Sequence, residues 1–237
     1  MRTSDHLRGS DTGSKPYTSI PAPEVKAFPE LLRRAGYFTF TDFKVDYQFS
    51  SGSRAGTEPF TIWDVSGGEI ISRNMLWRKR AEPSQPFFGM YNLFTTHESG
   101  LFIFSRDGLI QIPIRAGLHG LAALDEVVKP SDVALPPYYP DTPTVRADVA
   151  RQYNNIYLMD KEVGEVLAAL ESDGLAESTI VIWTTDHGTA LPRGKREVYD
   201  SGIKVPMIIR WPEAYRPDDA SPGSLDQRMI SFVDLAP

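Results

Sequence analysis

The chain has 237 residues, of which 41% are hydrophobic and 11% aromatic, enough for one large domain or two small ones with a sizeable core. A formal net charge of −6 gives no electrostatic support for binding nucleic acid, and no apolar run approaches the roughly 18 residues that a membrane span needs. Cysteine is absent, which excludes disulfides, thiolate metal sites and a cysteine nucleophile.

The amino-terminal part of the chain alternates between irregular and regular stretches. Residues 1–22 are rich in Ser, Gly, Thr and Pro and predict an irregular leader. A helix is predicted within residues 23–36, beginning at Pro29, and the sequence YFTF at 37–40 predicts a strand. Residues 50–86 contain clusters of Gly, Pro and Ser, which predict a long loop excursion away from the core.

The middle of the chain contains a second strand and the clearest helix. Residues 86–94, PFFGMYNLF, predict a buried strand that leads into the polar sequence TTHES. Residues 100–142 are irregular and proline-rich toward their end, which predicts a second loop excursion. From Val145 onward, apolar residues recur in steps of three and four, and this spacing predicts a long helix that ends at Gly174.

An acid and a histidine follow directly after an apolar run in residues 179–185. The sequence IVIW within it predicts a short buried strand, so Asp186 and His187 are expected at the carboxyl end of that strand, where ligands commonly bind in α/β sheets. A further strand is predicted at 205–211. This alternation of strands with a long helix predicts an α/β fold.

Three candidate sites each have a functional and a structural interpretation. Asp186 and His187, followed by a glycine, could form half of a divalent metal site, or the acid could cap the next turn. His97 could line the same site from the end of its own strand, or could be a structural histidine. Lys195 could bind an oxyanion from the loop that follows Asp186, or could belong to a solvated basic turn.

Taken in order, the blocks of this sequence resemble the sulfatase family of the alkaline phosphatase superfamily. FPELLRRAGYFTFTDFKVDYQF is similar to the family's helix, strand and catalytic lysine, here Lys44. QPFFGMYNLFTTHES is similar to the strand that ends in the substrate-binding histidine, here His97. YNNIYLMDKEVGEVLAALESDGLAESTIVIWTTDHG resembles the long helix, the strand and the second metal half-site, and GKREVYDSGIKVPMIIRWP resembles the lysine loop with the strand after it.

The resemblance implies a fold, a reaction and a set of site residues. The fold would be an alkaline-phosphatase-like α/β sandwich with a central, mostly parallel sheet flanked by helices and incomplete at both ends, with residues 23–237 as a partial catalytic domain. The reaction would be metal-dependent cleavage of sulfate esters or sulfamates on a small molecule or a glycan, similar to that of bacterial heparan-type sulfatases. Asp186 and His187 would bind a divalent cation, calcium by resemblance, with magnesium and manganese as alternatives. Lys44, His97 and Lys195 would bind the substrate and take part in catalysis.

The sequence departs from the family pattern in two places. Asp46 stands where sulfatases have a second histidine. The family's formylglycine motif, C/S-x-P/A-S-R upstream of the lysine block, is missing, and the superficially similar residues 50–54, SSGSR, follow Lys44 instead of preceding it. We therefore expect these 237 residues by themselves not to hydrolyse sulfate esters.

Two other functional classes stay open at the level of sequence. One is a phosphonate monoester or phosphodiester hydrolase of the same superfamily, in which an Asp-His metal pair also occurs. The other is a non-catalytic chain, which the missing nucleophile favours. The resemblance further implies a periplasmic or secreted protein, while the net charge and the lack of a long apolar run predict no nucleic-acid partner and no membrane span.

Overall fold

The computed structural model describes residues 24–42, 44, 62–66, 75–101 and 126–235. The chain divides into two compact units, one formed by residues 1–92 with 231–237 and the other by residues 93–230. Several sequence predictions lie outside the described residues, namely the leader at 1–22, the role of Asp46 and the loop at 50–54.

The first unit is built around a pair of parallel strands. Helix α1, Phe28–Arg34, begins where the backbone N–H of Ala27 donates to the Glu30 carboxylate at 2.8 Å, one residue before the predicted start. Gly36 ends the helix region with a φ of +91°, a conformation that only glycine adopts readily. Strand β1, Phe38–Thr41, then pairs in parallel with β2, Phe87–Met90.

Aromatic side chains form the core of this first unit. The Phe40 ring lies against Gly89 of the neighbouring strand so closely that no Cβ could fit there. Trp63 stacks on Phe88 with ring centroids 5.9 Å apart, and Trp77 is buried in the short helix Leu76–Lys79. The expectation that residues 50–86 lie away from the core is therefore wrong for these tryptophans, because their large apolar rings fill the space beside β1 and β2 despite the irregular backbone around them.

The second unit contains the long helix that the sequence predicted. Helix α2, Pro143–Ser172, begins at Thr142, whose hydroxyl accepts the backbone N–H of Val145 at 3.3 Å. It ends just before Gly174, which has a φ of +69°. Although α2 has 30 residues, neither it nor another helix of the described residues has an apolar run long enough to cross a membrane.

The buried face of α2 differs from the apolar spacing in the sequence. Val149, Met159 and Leu170 are buried as predicted, whereas other apolar positions of the same pattern, Tyr153, Ile156 and Leu167, are exposed. Their place is taken by a buried polar stripe with helical spacing, formed by Gln152, Asn155 and Glu162. Glu162 can be buried here because the Thr95 hydroxyl of a neighbouring segment donates to its carboxylate.

A second strand pair flanks the segment that contains Asp186, His187 and Lys195. Strand β3, Val181–Thr184, pairs antiparallel with β4, Met207–Arg210. The prediction of a buried strand is wrong here, because the Ile182 side chain is 48% exposed. In the described part of the chain β4 is the neighbour of β3, and Ile208 and Ile209 of β4 are exposed as well. The α/β class is confirmed, with one described pair parallel and the other antiparallel.

Candidate functional site

Asp186 and His187 form a close pair beyond the end of β3. The Nε2 atom of His187 lies 3.4 Å from a carboxylate oxygen of Asp186. On the other side of the ring, Nδ1 lies 2.7 Å from the backbone carbonyl of Gly188. A carbonyl can only accept a hydrogen bond, so Nδ1 carries a proton, and in the neutral form of the ring Nε2 would offer its lone pair to a cation beside the carboxylate.

This arrangement suits a pair of metal ligands. A ligating histidine typically donates its other ring N–H to a carbonyl or carboxylate, as His187 does to Gly188. No backbone N–H within the described residues donates to Asp186, so the geometry does not support the alternative in which the acid caps the next turn. Among the residues that the structure describes, no group of at least three His, Asp or Glu side chains that could hold a metal occurs, so no third side chain of these types joins the pair there.

Lys195 is held by an acid that the sequence analysis did not select. Its ammonium lies 2.8 Å from Oε1 of Glu98, the residue directly after His97, and both side chains are about 85% buried, with 14% and 15% of their surface exposed. The Arg196 guanidinium donates to both oxygens of the same carboxylate at 2.9 Å. The structure thus brings the segment that follows β2 and the lysine loop together, and the burial of Lys195 does not support the alternative in which it belongs to a solvated basic turn.

The charges around Glu98 keep it ionised. Burial by itself raises the pKa of Glu98, but hydrogen bonds from Arg196 and Lys195, together with their positive charges, outweigh that effect and lower the pKa to about 2. Because one carboxylate faces two cations, the cluster of Glu98, Lys195 and Arg196 keeps an excess positive charge. Such an excess favours an anionic ligand at this place.

The ring of His97 is oriented by the residues beside it. Its Nδ1 atom accepts the backbone N–H of Ser99 at 3.3 Å and lies 2.7 Å from the Ser99 hydroxyl, while the ring stacks on Phe94. Because a backbone N–H can only donate, the neutral ring carries its proton on Nε2. His97 is therefore set as a hydrogen-bond donor through Nε2, the opposite of His187.

The loop that carries Lys195 is closely packed. A Cβ on Gly188 would lie 1.8 Å from the carbonyl oxygen of Ser201, and a Cβ on Gly194 would lie 2.0 Å from that of Thr189. The Arg193 guanidinium lies over the rings of two tyrosines, at 4.7 and 4.8 Å from their centroids. The loop is therefore a compact support for Lys195 and not a loose surface turn.

Lys44 belongs to the first unit and is described there. Its backbone N–H lies 3.4 Å from Oδ1 of Asp42, and the same carboxylate accepts from the backbone and the side chain of Asn92. Burial raises the pKa of Asp42 above its usual value despite these hydrogen bonds. Asp42 thus connects the ends of β1 and β2 next to the predicted catalytic lysine.

Comparison with known proteins decides the family. The sulfatase family model matches residues 2–237. The chain belongs to the sulfatase family. Two relatives of this sulfatase chain are an ulvan-active sulfatase from Formosa agariphila, 38% identical over 100% of the chain, and the human N-sulphoglucosamine sulphohydrolase, 36% identical over 46% of the chain. The chain spans 39% and 21% of the lengths of these relatives.

A weaker similarity covers nearly the whole sulfatase chain. The human N-acetylgalactosamine-6-sulfatase is 24% identical over 98% of the chain, which spans 47% of that protein. Family membership confirms the resemblance on which the sequence analysis relied.

Glu98 and Arg196 are the functional candidates that sequence reasoning missed. Glu98 is 97 residues from Lys195 along the chain, so no local spacing connects them. One signal in the sequence could have pointed to this contact. Glu98 directly follows a predicted site histidine, and its negative charge is complementary to a loop with three basic residues in four positions, Arg193, Lys195 and Arg196.

Proposed function

We propose that the native protein carrying this sequence hydrolyses sulfate esters or sulfamates with the help of a divalent cation. The observation that carries the proposal is the pair of Asp186 and His187, in which the ring nitrogen Nε2 lies 3.4 Å from a carboxylate oxygen while Nδ1 is bonded to a backbone carbonyl. Membership of the sulfatase family supports the same reaction.

The proposed reaction needs positive charge around the sulfate group. A sulfate ester is a poor electrophile because its oxygens crowd and shield the sulfur with negative charge, and that charge shifts as the transition state forms. Asp186 and His187 would hold the cation, which neutralises sulfate oxygens when it is bound. Calcium prefers oxygen ligands, which Asp186 provides, whereas a histidine also suits other divalent metals, so calcium is proposed first with magnesium and manganese as alternatives.

The other site residues would act on the substrate directly. We propose that the Lys195 ammonium binds a sulfate oxygen and that His97 donates from Nε2 to the sulfate or to the leaving oxygen. Lys44 stays a proposed catalytic and substrate-binding residue because of its place in the family's lysine block. The expectation that the 237 residues alone are inactive stays a prediction.

We further propose that the substrate is a sulfated glycan. Three relatives are named for ulvan, N-sulphoglucosamine and N-acetylgalactosamine-6-sulfate, all of them sulfated sugars or polysaccharides. The family resemblance also favours a periplasmic or secreted location.

The proposal is tested by turnover of the native protein. Release of sulfate from an aryl sulfate is measured with calcium and after chelation, alongside an aryl phosphonate ester under the same conditions. We expect calcium-dependent release of sulfate that falls by about 100-fold or more in Lys195→Ala, because a fixed charge near the transition state is lost. Asp160→Asn, on the exposed side of α2, serves as a control. Faster turnover of the phosphonate ester, or none of either ester, would contradict the proposal.

A further inference from the structure

Glu98 lies where two parts of the second unit meet. It follows His97 in the segment after β2, and its carboxylate accepts hydrogen bonds from the loop between β3 and β4. With 15% of its side chain exposed, it is one of the more buried carboxylates of the described residues. The geometry of its hydrogen bonds suggests that Glu98 sets the position of a neighbouring side chain.

The two oxygens of Glu98 are used unequally. Arg196 donates to both of them at 2.9 Å, a bidentate contact that fixes the plane of the carboxylate. Lys195 donates to Oε1 alone at 2.8 Å. An ammonium has three N–H donors, so this contact fixes the position of Nζ while the remaining donors can bind another acceptor.

Glu98 itself rests on a fixed support. Two residues belonging to the segment around it are tied to α2, since the buried Thr95 hydroxyl donates to the buried Glu162 carboxylate and the Leu101 carbonyl accepts from Arg151 at 3.2 Å. These contacts hold the backbone on both sides of Glu98. The Glu98 carboxylate is therefore held in a fixed position.

The loop side is fixed in the same way. The backbone N–H of Lys195 donates to the Thr189 carbonyl at 2.6 Å, and the Ser201 hydroxyl donates to the Arg193 carbonyl at 2.6 Å. Arg193 and Arg196 have φ values of 66° and 75°, a left-handed conformation that costs non-glycine residues energy. The surrounding packing holds this turn, which directs Lys195 and Arg196 to the same carboxylate.

We propose that Glu98 is a positioning residue that holds the Lys195 ammonium for the scissile sulfate. This inference rests on the proposed function. Glu98 occupies one N–H of Lys195, Arg196 keeps the carboxylate in place, and the other N–H groups of Lys195 bind the sulfate. Because Arg196 contributes a second positive charge, the cluster still attracts an anion although it contains a carboxylate.

Two simpler roles predict different results. If Glu98 only opposes the positive charge of the loop, its removal strengthens anion binding, and Glu98→Asp, which keeps the charge, changes little. If Glu98 only ties the loop to the segment after β2, its variants lose stability but turnover by the folded protein is unchanged. Positioning predicts that shortening the side chain harms turnover even though the charge is kept.

The experiment compares Glu98→Asp and Glu98→Gln with Glu177→Gln in the native protein. Glu177 forms an exposed ion pair with Arg210 at 3.0 Å and so provides the same substitution away from Lys195. We expect both Glu98 variants to lower kcat/KM for an aryl sulfate about 10- to 100-fold, because small displacements of a catalytic group are costly. Glu177→Gln should stay within about twofold, since exposed pairs contribute little. Calcium affinity, measured by calorimetry, should be unchanged in all three variants.

A second measurement reports the position of Lys195 without turnover. In ¹⁵N-lysine-labelled protein, the ammonium signal of Lys195, assigned by its loss in Lys195→Arg, should be resolved in the wild type and should exchange with water several-fold faster in both Glu98 variants. Unchanged kcat/KM in Glu98→Asp, or an unchanged ammonium signal in both variants, would overturn the proposal. If the wild-type protein does not turn over sulfate esters, the proposed function fails, and the ammonium signal still decides whether Glu98 fixes Lys195.

Discussion

His97 and His187 carry their ring protons on opposite nitrogens, and a single neighbour decides each case. The Ser99 backbone N–H donates to Nδ1 of His97, while the Gly188 carbonyl accepts from Nδ1 of His187. In the neutral form of each ring, Nε2 carries the proton in His97 and a lone pair in His187. In the proposed reaction one residue type would thus serve two chemical purposes, a substrate hydrogen bond and a metal ligand.

Removing the charge of Asp186 should weaken binding of calcium. Asp186→Asn replaces a charged ligand with a neutral one beside His187, and ligand charge governs calcium affinity, so we expect a loss of about tenfold or more. Calorimetric titration of the native protein with calcium measures it. Asp148→Asn makes the same change in charge on α2, at a residue paired with Arg151 at 2.9 Å, and should leave the affinity unchanged. Equal affinities for calcium in Asp186→Asn and the wild type would remove Asp186 from the metal site.

The ion pairs of Glu98 should stabilise the protein in a pH-dependent way. The pKa of Glu98 is lowered from its ordinary value of 4.5 to about 2, so the folded state binds fewer protons than the unfolded state between these values. The stabilisation is therefore complete above about pH 4.5 and is lost as the pH falls toward 2. We expect Glu98→Gln to lower the free energy of unfolding by about 1 to 2 kcal/mol at neutral pH, after allowance for solvent screening.

Urea denaturation of the wild type and Glu98→Gln across this pH range measures the effect. The difference between their free energies of unfolding should shrink as the pH is lowered, since acid removes the charge that the variant already lacks. A difference that stays constant from neutral pH to pH 2 would show that the loss does not come from the charge interactions with Lys195 and Arg196.

At the scale of elements, close contacts between backbone segments shape the loop between β3 and β4. Its backbone closes on itself where the Gly188 N–H donates to the Gly202 carbonyl at 3.0 Å, and a Cβ on Gly202 would lie 2.2 Å from the Glu197 carbonyl. Such close approach of backbone to backbone requires glycine. The loop can therefore hold Lys195 in place although it contains little regular secondary structure.

Alanine substitutions at Gly188 and Gly164 should have opposite effects on stability. A Cβ at Gly188 would collide with the Ser201 carbonyl, so we expect Gly188→Ala to cost about 2 to 4 kcal/mol. At Gly164, in the exposed interior of α2, no atom lies within 4 Å of a Cβ, and Gly164→Ala should stabilise the protein by about 0.5 to 1 kcal/mol. Chemical denaturation measures both. An unchanged free energy of unfolding in Gly188→Ala would mean that the loop backbone can shift to make room for the added Cβ.

At the scale of the whole molecule, elements with strong local signals could be predicted from the sequence. The end of α2 at Gly174 and the strand before Asp186 follow from turn residues and apolar runs, and both are found within a few residues of their predicted bounds. The polar ends of strands also directed attention to His97 and Asp186. These signals are local, because each depends on neighbours in the chain.

Features that depend on distant partners could not be predicted in this way. Glu162 is buried in α2 because Thr95 supplies a hydrogen bond, and periodicity alone assigned that face to apolar residues such as Ile156. Glu98 was missed for the same reason, since its partner Lys195 is distant in sequence. Trp77 enters the core from a stretch whose composition indicated a loop.

The central claim is that Asp186 with its cation and Lys195 act on one sulfate group. It predicts that calcium and a sulfate ester bind cooperatively, because the positive charge of the bound cation and the negative charge of the sulfate group stabilise each other. The most direct measurement is the affinity of the native protein for a slowly hydrolysed aryl sulfate, by calorimetry with and without calcium. We expect about tenfold tighter binding with calcium in the wild type, loss of that gain in Asp186→Asn and weaker binding throughout in Lys195→Met. Binding that is independent of calcium, or a full calcium effect in Asp186→Asn, would contradict the claim.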